Sequence, residues 1–357
     1  MIRSLLTLGL VAALMTSCGN DADKKKADIK DPMSSSAKKW AKLSEDANLY
    51  FAILPTKAEN SENPTSVAKV ELGQALYFDN RLSKDKTQSC NTCHDLQNFG
   101  VDNKNVSDGD DGKSKGSRNS PTTLNAAFHI SQFWDGRAKD VEEQAGMPVM
   151  NPVEMNIPSE KFLVNRLKKV DFYKDMFAAA YPTQKDPITY ENIRKAIGAF
   201  ERKLITPSKF DKFLAGDNKA MSKEEKEGLR TFIDQGCITC HSGALLGGNM
   251  MQKFPIIGNY EDYLSGTVDM GHYEETKKDM DKFMFKVPSL RNISKTAPYL
   301  HNGGVADLGA TVKIMGKAEL NKDLTNAQIK SIVTFLGSLT GDLDAKYKTA
   351  PAVLSKS

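Results

Sequence analysis

A mainly α fold in two similar domains is what this sequence predicts, and three observations predict it. The pentapeptide Cys90-Asn91-Thr92-Cys93-His94 returns as Cys237-Ile238-Thr239-Cys240-His241. A segment with apolar residues at helical spacing precedes each copy, and another closes each half. At 357 residues the chain has the length of two domains of ordinary size, each able to bury a core.

Cys-x-x-Cys-His is the attachment pattern of a c-type haem. Its two thiols bond covalently to the haem vinyl groups, and the adjoining imidazole is held under the iron as an axial ligand. Two copies imply two haems, one on Cys90, Cys93 and His94 and one on Cys237, Cys240 and His241. Zinc or thiol redox chemistry is the competing use of such cysteines, but a four-thiolate zinc site would leave both histidines unexplained. Helix, loop, haem motif and closing helix follow one another in the order of cytochrome c. The expected architecture is therefore two cytochrome c-like domains, each carrying one covalently bound haem.

Residues 1–17 hold Arg3, an apolar run from Leu5 to Met15 and then Thr16-Ser17, which reads as an export signal rather than a membrane span. Cys18 stands where the lipidated cysteine of a lipoprotein would stand, and it is the one cysteine of five that the haem motifs leave over. An ordinary cleaved signal peptide is the alternative. Haem attachment is completed outside the bacterial cytoplasmic membrane, so the expected location is the periplasm, with a lipid on Cys18 as the membrane attachment. Residues 18–42, rich in Lys, Ser and Asp, read as a flexible tether. A formal charge of +4 without a basic stripe gives no reason to expect nucleic acid.

The first haem domain is expected over 43–205. Val67, Leu72 and Leu76 mark a helix before the first motif. Residues 101–120, dense in Asp, Gly, Ser, Asn and Lys, are a surface loop, and long loops beside cofactors are often functional. Trp134 and Glu154 follow; taken alone they would be a core aromatic and a solvated carboxylate. Ile193, Ile197, Phe200 and Leu204 line the closing helix, with Pro207 just beyond it.

The second haem domain is expected over 206–345, with 346–357 as a tail. Ser222 and Glu225 have capping-box spacing, and Leu229, Phe232 and Ile233 line a helix running into the second motif. Residues 286–304, dense in Pro, Asn and Gly, should be extended chain. Met315 follows, and a methionine on its own is usually core filler. A last helix capped by Thr325 should bury Ile329, Ile332, Val333 and Leu336.

From about Leu43 to Leu339 the chain resembles the bacterial dihaem cytochrome c peroxidases. The likeness is carried by Arg118-Asn119-Ser120-Pro121-Thr122, the runs Gln132 to Arg137, Asn151 to Met155 and Phe285 to Asn292, Thr296-Ala297-Pro298-Tyr299, and Met315 between Ile314 and Gly316. It implies reduction of hydrogen peroxide to water with electrons from a small cytochrome c or cupredoxin. It also implies that the haem on His94 is the low-potential peroxidatic centre and that on His241 the high-potential centre that receives electrons. Met315 would be the second axial ligand of the latter, and His/Met ligation does raise a haem potential.

By the same resemblance Glu154 is the acid–base group, Gln144 its polar neighbour that positions peroxide, His301 a histidine near that pocket and Trp134 the aromatic between the haems. A calcium ion at Asn119, Thr296 and Pro298 is implied as well; neutral oxygens suit a hard cation. So is a homodimer. His129 and His272 are expected to be surface or packing residues.

One position departs from the pattern. Many members carry a histidine sixteen residues beyond the proximal one, which blocks the peroxidatic iron until the other haem is reduced; here that residue is Asp110. The expectation is an iron that is five-coordinate or water-bound and needs no prior reduction, with Lys104, Lys113 or Lys115 as alternative caps. Two other functions stay open: a dihaem electron carrier or sensor with a vestigial peroxidatic site, and an oxidase like the dihaem enzyme that matures a tryptophan cofactor. The latter relative has Tyr where Met315 stands.

Overall fold

A computed structural model describes residues 35–356 and is mainly helical. The export signal, Cys18 and the lipid expected on it lie outside the described residues. The helices of the first half are α1 (Ser35–Ala47), α2 (Val67–Phe78), α3 (Cys90–Cys93), α4 (Val141–Met150), α5 (Glu160–Leu167), α6 (Asp171–Ala180) and α7 (Tyr190–Glu201). Those of the second are α8 (Lys209–Leu214), α9 (Lys223–Asp234), α10 (Tyr273–Thr276), α11 (Leu308–Leu320) and α12 (Asn326–Gly337). Two short strands, β1 (Met251–Lys253) and β2 (Met284–Lys286), pair antiparallel with Met251 opposite Lys286.

Side chains start the main helices as their sequences suggest. Ser66 accepts from the Lys69 N–H at the head of α2, and Thr189 from Asn192 at the head of α7. Ser222 with Glu225, and Thr325 with Gln328, form capping boxes on α9 and α12. Each box satisfies N–H groups that the first helical turn leaves without partners.

Two helix crossings organise the chain, α2 on α7 and α9 on α12. At each, a glycine lets the backbones meet. A Cβ on Gly73 would lie 1.9 Å from the Ala196 carbonyl oxygen, and one on Gly228 would lie 2.2 Å from that of Ser331. One helical turn later an aromatic pair locks each crossing. Tyr77 meets Phe200 at 5.3 Å between ring centres and 61°, and Phe232 meets Phe335 at 5.3 Å and 58°.

The buried apolar residues form two clusters. One gathers α2, α4 to α7 and the chain leading to them, and the other gathers α8, α9, α11 and α12. The chain crosses between them at both ends, which composition did not reveal. Trp40, Leu43, Ala47 and Phe51 pack into the second cluster, although the first domain was expected to begin at residue 43. Leu343 belongs to the first cluster, and Tyr347, Val353 and Leu354, all three in the expected tail, pack against it. The end of the expected tether is helical because α1 docks this apolar stripe; tertiary burial outweighs a polar composition. Residues 286–304 contain no α-helix, but they are not extended throughout: extended stretches alternate with turns, among them a 3-10 turn at Ile293–Lys295 and positive φ at Asn292, Leu300 and Gly303.

Candidate functional site

The first Cys-x-x-Cys-His motif sits on α3, capped by Ser89 and Thr92, with His94 at its C-terminal end. Tyr77, from the α2–α7 crossing, donates its hydroxyl to the His94 carbonyl at 2.8 Å and lies 3.2 Å from the Thr123 hydroxyl. The second motif sits on a 3-10 turn, Cys237–Thr239, and the Phe232 ring of the other crossing packs 6.5 Å from the His241 ring. Each crossing therefore positions one motif.

The residues fit a covalently attached haem. His241 Nδ1 donates to the Leu246 carbonyl at 2.9 Å, which leaves the Nε2 lone pair for a metal. His94 Nδ1 is buried without a hydrogen bond. Burial holds both imidazoles below their usual pKa, hence neutral, the form that ligates iron. The four cysteines are unbridged and partly buried, and burial pushes the Cys93 and Cys237 thiols up to about 11. Among the described residues no group of three or more His, Cys, Asp or Glu is disposed to hold a metal ion.

Met315 lies in the middle of α11. Glu319, one turn further on the same face, is close enough to Cys240 for its charge to act on that thiol. This face of α11 is thereby turned towards the second motif.

Glu154 lines a cavity of 520 Å³ together with Arg137, Met150, Asn151, Tyr190 and Arg194. Burial raises its carboxyl above the usual 4.5, opposed by the Asn151 hydrogen bond and the Arg137 charge. Asn151 Nδ2 donates to Oε1 at 2.9 Å. Its backbone carbonyl accepts from Gln88 Nε2 and from the Asp110 N–H, both at 2.7 Å. The residue is held by three partners with its carboxyl raised above the ordinary range, the direction that suits acid–base work. Gln144 is half-buried on α4 between Glu143 and Gly146, which line this cavity, and does not itself line it.

Trp134 and His301 come together elsewhere. Trp134 Nε1 donates to the Asn119 carbonyl at 2.9 Å, and its ring meets that of His301 edge-on at 6.3 Å. His301 is buried, stacks on Phe285 at 4.2 Å, and its Nε2 lies 2.8 Å from the Tyr260 hydroxyl. Burial lowers its pKa to about 4, so it is neutral at ordinary pH. It belongs to this aromatic cluster and not to the lining of the Glu154 cavity.

The loop 101–120 links these groups. Asp110 is 3% exposed; its carboxylate accepts from the Asp85 N–H at 2.8 Å and the Thr87 hydroxyl at 2.6 Å. Burial opposes its ionisation, but these bonds and one from Ser83 prevail and hold the carboxyl below its usual range. The carboxylate is thus committed to fixing the loop against the segment before the first motif. Lys104 and Lys115, considered as iron caps, both pair with Asp108. Asn119 donates to the Lys104 carbonyl at 2.9 Å, and Asn103 donates to that of Ala297 at 2.6 Å, next to the cis bond before Pro298. The loop therefore meets the segment that contains Thr296 and Pro298.

Two buried groups escaped the sequence reading. Arg118 grips Asp269 through Nε at 2.6 Å and Nη2 at 2.8 Å and also pairs with Asp135, which joins loop 101–120 to the second half. His129, expected on the surface or in packing, takes the Lys286 ammonium at 2.9 Å on its Nδ1. Partners 157 residues apart leave no local signal.

Comparison with known proteins agrees with this geometry. The sequence profile of the di-haem cytochrome c peroxidases matches residues 67–219. The chain is 41% identical over 313 residues to the cytochrome c551 peroxidase of Pseudomonas aeruginosa, covering 87% of this chain and 90% of that protein. This chain belongs to the di-haem cytochrome c peroxidase family. It is 40% identical over 291 residues to the cytochrome c551 peroxidase of Nitrosomonas europaea, covering 81% of this chain and 84% of that protein. Its fold is similar to the crystal structure of a MauG-like protein associated with microbial copper homeostasis, at a TM-score of 0.75 and 27% identity, covering 84% of this chain and 97% of that one. Family membership makes this an enzyme of the peroxidase type and implies two c-type haems.

Proposed function

We propose that this di-haem peroxidase works in the periplasm, reducing hydrogen peroxide to two waters with two protons and two electrons drawn from a small cytochrome c or cupredoxin. Each half is a cytochrome c-like domain holding one haem, on Cys90, Cys93 and His94 and on Cys237, Cys240, His241 and Met315. When bound, the first haem supplies the iron at which the peroxide O–O bond is cleaved. Glu154 carries the reading: a carboxyl raised by burial, fixed by Asn151, Gln88 and the Asp110 N–H, at the wall of a cavity. Ionised, it takes the proton from the incoming peroxide; protonated, it returns that proton to the leaving oxygen. Gln144 does not line this cavity, so its assignment as the group that positions peroxide rests on the resemblance alone. Trp134, hydrogen-bonded between Asn119 and Lys286, offers a π-system on the route between the halves.

Asp110 bears on regulation. With its carboxylate bound to Asp85 and Thr87, it holds the loop without supplying an iron ligand, so the enzyme accepts peroxide in its fully oxidised form. A calcium ion at Asn119, Thr296 and Pro298 fits the place where loop 101–120 meets the 296–298 segment. No helix among the described residues is long and apolar enough to cross a membrane. We assign membrane attachment to a lipid on Cys18, and a homodimer as the assembly. Peroxide turnover by the haem-loaded protein, with a reduced small cytochrome as donor, tests the function; a protein with two haems and no turnover would leave the electron-carrier reading.

A further inference from the structure

We propose that Lys286 and His129 form an anion clasp for a propionate carboxylate of the haem on Cys237, Cys240 and His241. The proposal rests on the two-haem reading above and assigns these two residues a role in holding that cofactor.

The observation behind it is a buried cation short of an anion. Lys286 is 6% exposed, and its ammonium donates to His129 Nδ1, a neutral acceptor. Asp135 is the acid whose charge reaches it, but that carboxylate is engaged by Arg118 and by Arg137, the latter at 2.8 and 2.9 Å. His129 Nε2 is buried with no hydrogen-bond partner. Buried charges are paired in native proteins, and an ammonium beside an imidazole is a poor pair. Burial, only partly opposed by the Asp135 charge, pulls Lys286 down to about 7, and burial together with the Lys286 charge lowers His129 well below its usual range. A carboxylate at this point would supply the missing charge, and a haem brings two.

The position selects the second haem. Lys286 ends β2 and faces Met251 of β1, in the segment that follows the second motif. The His129 ring lies against Gly248, where a Cβ would come within 2.4 Å of its Cδ2 and where φ is +71°. The Ile130 N–H donates to the Gly248 carbonyl, and the Gly248 N–H to that of Val287. Leu246, two residues earlier in the same loop, holds His241 through Nδ1. The Lys286 N–H also donates to the Trp134 carbonyl at 2.7 Å. The clasp thus joins the loop that orients the second proximal histidine to the backbone of the tryptophan between the halves. A cation at a haem edge favours the reduced iron, which carries one positive charge less, so the clasp raises that haem's potential.

The test uses the full haem-loaded protein as wild type, Lys286→Gln, Lys286→Arg and His129→Gln. Each is checked for two haems per chain, then titrated spectroelectrochemically and examined by resonance Raman for propionate bending. The haem on His241 is identified by the absorption of its methionine–iron bond. In Lys286→Gln its midpoint is expected to fall and its propionate band to shift, while the other haem keeps both values; Lys286→Arg should restore both. If Lys286→Gln does not fold, His129→Gln, which keeps the ammonium, should still shift the band. Unchanged midpoint and band in folded variants, or a change confined to the haem on His94, would overturn the clasp. Fewer than two haems in the wild type would instead overturn the two-haem reading beneath it.

Discussion

The α2–α7 and α9–α12 crossings share one plan, a glycine under a carbonyl and an aromatic pair one turn on, yet they present their motifs to different surroundings. In the first half Tyr77 sends a hydroxyl to the His94 carbonyl, and the chain beyond carries a polar loop, Asp110 and a raised Glu154 carboxyl. In the second half Phe232 occupies the equivalent place, and α11 brings Met315. The scaffold repeats while the ligand environment diverges. One packing solution thus holds two Cys-x-x-Cys-His motifs in different surroundings.

Removing the Glu154 carboxylate, the proposed acid–base group, should break the contrast most severely. Glu154→Gln is expected to cut peroxide turnover by about 10²–10⁴-fold while both haems remain attached, checked by steady-state kinetics and haem stoichiometry. The pH profile sharpens the same point. Glu154 must be ionised to accept a proton, so turnover should fall as pH drops through its raised pKa. Asn151→Ala, which removes a bond favouring the ionised form, should move that falling limb to higher pH.

Next in size are the glycines. Gly73→Ala and Gly228→Ala each push a methyl into a carbonyl oxygen and should cost about 1–3 kcal/mol by denaturant unfolding of the holoprotein. Similar losses in both would support equivalent crossings, and a harmless change at one would separate them. The smallest effect belongs to Tyr77→Phe, which makes the first crossing like the second. It forfeits the hydrogen bond to the His94 carbonyl and should cost about 0.5–1.5 kcal/mol.

What the sequence revealed follows from how local each signal is. The motifs, the capping box at Ser222, the cap at Thr325 and the apolar stripes of α7, α9 and α12 lie within single segments, and the structure has them. The exchange of chain ends was hidden because α1 is polar in composition and gains its helix from docking on α8 and α9. The Arg118–Asp269 and Lys286–His129 pairs span 151 and 157 residues, so only the fold brings them together. His301 could be placed near a pocket by resemblance, but its capture by Tyr260 and Phe285 is a tertiary fact. Asp110 was legible as a departure, and its hydrogen bonds to Thr87 and Asp85 supply the reason it can stand there.

The most direct measurement is peroxide consumption by the two-haem protein, once fully oxidised and once with only the haem on His241 reduced. Rapid reaction in both states is the predicted result, since the Asp110 carboxylate is engaged by Asp85 and Thr87 and, on this account, supplies no iron ligand. No reaction in either state would contradict peroxidase function, and reaction only after reduction would contradict the open site.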